Sequence, residues 1–242
     1  MNPIERNEKI ALQFSGGKDS LAALYLCRPW WDKITVYWLN TGAVPPSSVK
    51  QMDAIRQIVP NFIEIMSDQP ADVKANGYPV DILPLRTHNG ARMFEEHSGI
   101  KLQPWMACCA NNLWFPMHAR MIQDGITLII RGQRNEEQRK AVIRDGQSMD
   151  GFEVYFPLEN WTEKQVFDYL RDNDVDIPPN YRYDMASVDC WSCTAYAYEN
   201  QGRAAYFRDH EPELYPKFIG ILKEIRSEVT RELGFIDAMI DA

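Results

Sequence analysis

The sequence predicts an α/β fold, a doubly wound and mainly parallel sheet with a helical C-terminal portion. Three observations carry that expectation. The apolar run Ile10-Ala-Leu-Gln-Phe14 meets a glycine-rich turn and is followed by the helix-like stretch Leu21 to Cys27. A second run rich in β-branched and aromatic residues, Ile34 to Leu39, ends at Asn40-Thr41-Gly42. A third, Thr127 to Ile130, ends at Gly132-Gln-Arg134. Strands that alternate with helical segments build parallel sheets, because each crossover returns the chain to the same edge.

The remaining elements come in chain order. Pro45-Pro46 reads as a turn, Val49 to Val59 carries helical spacing, and Phe62 to Ile65 reads as a third strand. Asp68 to Met106 has scattered proline and glycine and no sustained period, so loops and short helices are expected there. Leu113 to Ile122 reads as a helix, and Thr162 to Arg171 as another with Thr162 at its N-cap. Pro178-Pro179 breaks the chain, and beyond Pro212 the residues Phe218, Ile221, Leu222, Ile225 and Val229 recur at helical spacing. The expected division is a main domain over 1–211 and a helical extension over 212–242.

With 242 residues, 45% of them apolar, the chain is long enough to bury a core. It shows neither a basic segment leading into an apolar one at its start nor an apolar stretch long enough to span a bilayer, and the cytoplasm is the expected location. The net charge of -8 argues against a surface coated in positive charge for unspecific nucleic-acid binding, while leaving a local basic groove open. Five cysteines, Cys27, Cys108, Cys109, Cys190 and Cys193, are too few and too uneven for a secreted disulfide scaffold.

The turn after the first strand, Ser15-Gly16-Gly17-Lys18-Asp19-Ser20, is the strongest candidate site. A loop between the end of a strand and the start of a helix presents unpaired N–H groups and the positive end of the helix dipole, which favour a phosphate. Gly16 and Gly17 let the backbone approach the ligand. Lys18 adds a positive charge, Ser15 and Ser20 add hydroxyls, and Asp19 orients the loop or helps hold Mg²⁺. The spacing is not that of the Walker A loop. Asn40, Thr41 and Gly42 end the neighbouring strand, where ligands gather in open sheets, although a simple turn explains them almost as well.

Four of the cysteines fall into two tight pairs, Cys108-Cys109 and Cys190-x-x-Cys193, separated by the 80 residues 110 through 189. Taken singly, each would read as a small buried hydrophobe. Two such pairs converging on one site would suit tetrahedral zinc or an iron–sulfur cluster, both soft-ligand centres. Adjacent cysteines are awkward around one small ion but can reach different irons, so a 4Fe-4S cluster is preferred and zinc is the alternative. Cys27 lies in the first helical stretch and reads as packing.

The hexapeptide resembles the Ser-Gly-Gly-x-Asp-Ser signature of the PP-loop, or N-type, ATP pyrophosphatases. The cysteine arrangement resembles the cluster-binding pattern of bacterial adenylyl-sulfate reductases in the PAPS reductase family. Gly132-Gln-Arg134 with Arg139 resembles that family's arginine loop, Phe156 to Thr162 its Pro-Leu-x-x-Trp-Thr segment, and Tyr181 to Thr194 its approach to Cys-x-x-Cys-Thr. The likeness runs over most of Ile10 to Gly202 and implies an adenine-nucleotide α-hydrolase-like fold, ATP as substrate, cleavage between the α and β phosphates, and Arg134 and Arg139 facing phosphate or sulfonate. Asn40 departs from the usual Asp-Thr-Gly of sulfonucleotide members.

Two further departures shape the functional expectation. The reductases carry a nucleophilic cysteine in a C-terminal Glu-Cys-Gly-Leu-His, whereas the last cysteine here is Cys193 and Glu232 to Ala242 hold none. They also usually carry an altered phosphate loop, and this chain has the ATP-splitting form. The combination resembles the ATP-pyrophosphatase component of DNA phosphorothioation systems. It implies an adenylating enzyme, catalytic through Lys18, Asp19 and Ser20, that activates a nucleic-acid oxygen for replacement by sulfur, with a cysteine desulfurase as partner. The alternatives are an adenylyl-sulfate or phosphoadenylyl-sulfate reductase whose thiol comes from elsewhere, and a nucleotide-binding scaffold for a desulfurase.

Overall fold

The protein is described from a computed structural model, in which residues 2–93, 99–137, 141–186 and 189–242 are placed. Two compact units share the chain. One comprises Met1–Asn40, Ser48–Met66 and Pro116–Tyr181, the other Thr41–Ser47, Ser67–Phe115 and Arg182–Ala242.

The first unit holds a six-stranded sheet. In chain order its strands are β1 (Ile10–Gln13), β2 (Ile34–Asn40), β3 (Phe62–Met66), β6 (Leu128–Ile130), β7 (Ser148–Met149) and β8 (Phe152–Tyr155), while β4 (Tyr78–Val80) and β5 (Leu102–Pro104) lie in the other unit. The spatial order is β3-β2-β1-β6-β8-β7, parallel throughout except for β7 against β8. Register pairs Ile10 with both Ile34 and Leu128, which puts β1 at the centre. Ile10, Ala11 and Leu12 are buried there, as a strand covered on both faces requires. The α/β, mainly parallel architecture expected from the sequence is the one found.

Four helices flank this sheet and position its loops. Helix α2 (Lys18–Leu26) begins directly after the glycine-rich turn. Helix α3 (Pro46–Ile58) starts at Pro46, so the second proline of the expected turn is instead a first helical residue, where its missing N–H costs nothing. Helix α6 (Phe115–Gln123) precedes β6, and helix α7 (Glu163–Asp172) packs against α2. Thr162 caps α7 in a full capping box with Gln165. The hairpin joining β7 to β8 lies outside the elements expected from the sequence. Its turn is Asp150-Gly151, both at positive φ, a pairing that the sequence does signal.

The second unit contains β4 and β5 as a parallel pair, inside the stretch expected to be loops and short helices. Three-residue strands are too short to show a period, which is why the pattern is silent there. Helix α4 (Gln69–Asn76) precedes β4, and α5 (Trp105–Cys109) follows β5 and runs into a π-helical turn over Ala110–Trp114. Helices α8 (Arg203–His210) and α9 (Tyr215–Ile240) pack together around Met185, Tyr206, Phe207 and Phe218. A short helix, α1 (Pro3–Arg6), precedes β1 in the first unit. Among the described residues, no helix is long and apolar enough to cross a membrane.

Candidate functional site

The strand order reverses direction on either side of β1, with β2 on one side and β6 on the other. Ligands of open α/β sheets bind at such a switch point, outside the carboxyl ends of the strands. The turn after β1 and the turn after β6 therefore share one crevice, both supplied by the sheet-bearing unit.

Gly16 adopts φ +82, and a Cβ there would stand 2.7 Å from Gln51 Oε1 and Met52 Cε. A side chain at this position would be strained by the backbone and would have to push aside the ends of Gln51 and Met52. Gly17 is the N-cap of α2 with no side-chain cap, so the helix end is left for other partners. The Lys18 backbone N–H donates to Tyr181 Oη at 2.7 Å. Ser20 Oγ donates to Gly17 O at 2.9 Å and lies 3.3 Å from Ser15 Oγ. Gln51 Nε2 donates to Gly16 O at 2.9 Å, fixing the outer edge of the loop.

The charged groups form a connected set. Lys18 Nζ lies 3.0 Å from Asp19 Oδ2 and 3.3 Å from Glu163 Oε1, and stands over the Tyr181 ring at 5.0 Å. Arg134 is 4% exposed, and its Nε donates to Asp19 Oδ1 at 2.6 Å while Nη1 meets Glu136 Oε2 at 3.1 Å. Burial opposes the charge on Arg134, yet Asp19 beside it holds the guanidinium above its ordinary pKa. Burial pushes the Glu137 carboxyl above the usual carboxylate range, with the charge of Asp19 adding to the effect. Burial pulls Arg131 below the usual guanidinium range, opposed by Glu137.

Gly132 has a packing reason. A Cβ there would stand 2.4 Å from Asp19 O, so the turn after β6 presses against the start of α2 with no room for a side chain. Arg139 lies outside the described residues. Asn40 donates from Nδ2 to Glu64 Oε1 at 2.8 Å. Sequence reasoning misses Glu163, Arg131 and Glu137. Glu163 is reachable as the first residue of a capped helix; the other two need the fold.

Thr41 and Gly42 belong to the second unit, where Thr41 Oγ1 lies 3.2 Å from Cys190 Sγ. Cys108, Cys109, Cys190 and Cys193 line one cavity of about 20 Å³ together with Gln69, Pro79, Asn112 and Leu113. Two cysteine pairs from separate segments thus face a common space. Burial pushes the Cys108 thiol up to about 12, with Asp72 and the Cys109 and Cys193 thiols adding to it. Burial likewise raises Cys190 well above the ordinary thiol range, partly offset by its hydrogen bond with Thr41. Cys27 lies apart in the sheet-bearing unit, 1% exposed.

Among the described residues, no group of three or more His, Cys, Asp or Glu side chains is arranged to hold a metal ion. The donor chemistry itself suits a soft centre, since four thiols border one largely apolar space and have no ammonium or guanidinium among its lining groups to stabilise them as thiolates.

Comparison with known proteins agrees with this architecture. Residues 9–196 match the phosphoadenosine phosphosulfate reductase domain. The adenosine 5'-phosphosulfate reductase of Burkholderia cepacia is 23% identical over 193 residues, covering 78% of this chain and 71% of that protein. The protein of the same name from Salinibacter ruber is 27% identical over 181 residues, covering 70% of this chain and 63% of that one, which is less than two thirds of its length. The crystal structure of phosphoadenylyl-sulfate reductase from Candida auris in a phosphate complex superposes with a TM-score of 0.55 at 15% identity, over 78% of this chain and 84% of that one. That last likeness is one of fold. The domain match takes in the glycine-rich turn, the arginine turn and both cysteine pairs, and the chain belongs to the phosphoadenosine phosphosulfate reductase family.

Proposed function

We propose that this chain is an ATP pyrophosphatase that adenylates an acceptor for sulfur transfer, with an oxygen of a nucleic acid as the acceptor. The observation that carries the reading is the turn Ser15 to Ser20 at the switch point of the sheet, with Lys18 and Arg134 held around Asp19. In the reaction an acceptor oxygen attacks the α-phosphorus, the bond from that phosphorus to the α–β bridging oxygen breaks, and pyrophosphate leaves with the electron pair. Lys18 and the amides at the start of α2 would stabilise charge on the departing phosphates. Asp19 would orient Lys18 and Arg134, and is the carboxylate placed to help hold Mg²⁺.

The four cysteines Cys108, Cys109, Cys190 and Cys193 would hold a 4Fe-4S cluster, which would carry or position sulfur or brace the fold. A cysteine desulfurase is the partner this chemistry calls for, and the cytoplasm is where both would meet a nucleic acid. The division into a main domain over 1–211 and a helical extension over 212–242 belongs to the same proposal.

One observation favours a second reading. Relatives named adenosine 5'-phosphosulfate reductase align over 70–78% of the chain, which supports reduction of a sulfonucleotide. The two readings separate in one assay, in which purified protein is given ATP or, separately, adenylyl sulfate with thioredoxin. Pyrophosphate from ATP without sulfite supports adenylation. Sulfite release overturns it in favour of the reductase, and failure to release either product even with desulfurase and DNA present would leave a nucleotide-binding scaffold.

A further inference from the structure

The cavity bordered by the four cysteines is also bordered by Gln69, the first residue of α4. Gln69 is 1% exposed. Its backbone N–H donates to Thr41 O at 2.9 Å, and its side-chain Oε1 accepts from Ser192 Oγ at 3.2 Å. Ser192 sits between Cys190 and Cys193 in the chain and is itself buried. These two bonds tie Gln69 to the Cys-x-x-Cys segment and, through Thr41, to Cys190. The other end of the same amide, Nε2, has no hydrogen-bond partner.

A buried amide N–H without an acceptor forfeits its hydration and receives nothing back, and folded proteins leave few such groups. The side chains that share the cavity with Gln69 are the four thiols, the amide of Asn112 and the apolar Pro79 and Leu113. Asn112 is a second amide donor on this cavity, its Nδ2 donating to Cys108 O at 2.9 Å and reaching Cys108 Sγ at 3.8 Å, and its Oδ1 takes no bond from Gln69 Nε2. A protonated thiol is a weak acceptor. A thiolate or sulfide carries the negative charge that makes sulfur a good one.

We propose that Gln69 is a positioning residue whose Nε2 donates a hydrogen bond to sulfur when the four cysteines hold a metal–sulfur group, an inference that rests on the cluster reading of those cysteines. Hydrogen bonds to cluster sulfurs favour the more negative, reduced form and raise the reduction potential. Gln69 therefore sets that potential while Ser192 fixes the rotation of its amide.

The test uses anaerobically purified full-length protein in three forms, the wild type, Gln69→Leu and Gln69→Glu. Iron, acid-labile sulfide and the reduction potential are measured on each, the last by titration followed optically and by electron paramagnetic resonance. Gln69→Leu is expected to keep its iron and shift to a lower potential. Gln69→Glu, which keeps the shape of the side chain and is read even if the leucine variant does not fold, is expected to shift lower still. Iron-loaded variants with the wild-type potential and spectrum overturn the role of Gln69 and leave the cluster reading standing. Wild-type protein without iron and sulfide overturns both.

Discussion

The two units of this chain handle buried polarity in opposite ways. Around the glycine-rich turn, charge is matched by charge: Lys18 by Asp19 and Glu163, Arg134 by Asp19 and Glu136. Around the cysteine cavity, Cys108 and Cys190 are held neutral by burial, and Gln69 Nε2 has no acceptor. The first arrangement is complete before a ligand arrives, and a nucleotide would exchange one set of ionic partners for another. The second is incomplete at one atom, since Gln69 Nε2 borders four soft ligands and finds no acceptor among the described residues. Preorganisation and incompleteness are two different signatures of a binding site.

The contrast can be broken most severely at Lys18. Replacing it by alanine removes the cation at the turn while leaving the cysteine cavity untouched, and pyrophosphate release from ATP is expected to fall by roughly 10²–10³-fold. Iron content measured on the same preparation should stay at the wild-type level. An equal loss of iron would show that the two sites are not separable.

Cys108→Ser and Cys27→Ser form the complementary pair. Cys108 borders the cavity and Cys27 is a buried residue of the other unit, so only the first substitution is expected to abolish iron binding. Iron analysis of both variants decides it, and a comparable loss in Cys27→Ser would detach the cavity from metal binding.

Titration of Cys27 sharpens the comparison from the side of stability. Burial raises its pKa from the ordinary 9.0 to about 12, so between these values the unfolded chain loses a proton that the folded one retains. The stability is present below pH 9 and declines as pH rises through that window, by about 1.4 kcal/mol per pH unit for this group. Denaturant unfolding at three pH values, from just below the lower bound of that window to well inside it, checks the slope, which should flatten in Cys27→Ser.

Smaller effects are expected where packing or capping alone is changed. Gly132→Ala would drive a methyl to within 2.4 Å of Asp19 O, and overpacking of this kind costs about 1–3 kcal/mol. Thr162→Ala removes the cap of α7, whose first residue faces Lys18, at a cost of about 1 kcal/mol. Thermal melts of the two variants rank them. A larger loss at Thr162 would mean that the cap carries more of the phosphate site than the ion pair with Glu163 suggests.

How far the sequence can be read depends on element length. β1, β2 and β3 are legible because their apolar runs of four to seven residues end in turn signals, and Thr162 is legible because a capping box is a local pattern. β4 and β5, at three residues each, carry no usable period, and the hairpin at Asp150-Gly151 is easily overlooked although its dipeptide announces it. Ser15 to Ser20 stands out because a glycine-rich turn between strand and helix is contiguous. Tyr181 is 163 positions from the amide it accepts from, and the role of Gln69 depends on two segments meeting.

The sequence by itself determined the alternation of strands and helices, the glycine-rich turn and the two cysteine pairs. Each of these is encoded in neighbouring residues, where side-chain type and backbone freedom act locally. The tertiary structure alone decided that β1 lies at the switch point, that Arg134 closes on Asp19, that Thr41 meets Cys190, and that Gln69 turns an unpaired N–H toward no protein acceptor. Such facts come from burial and strand order, which join residues far apart in the chain.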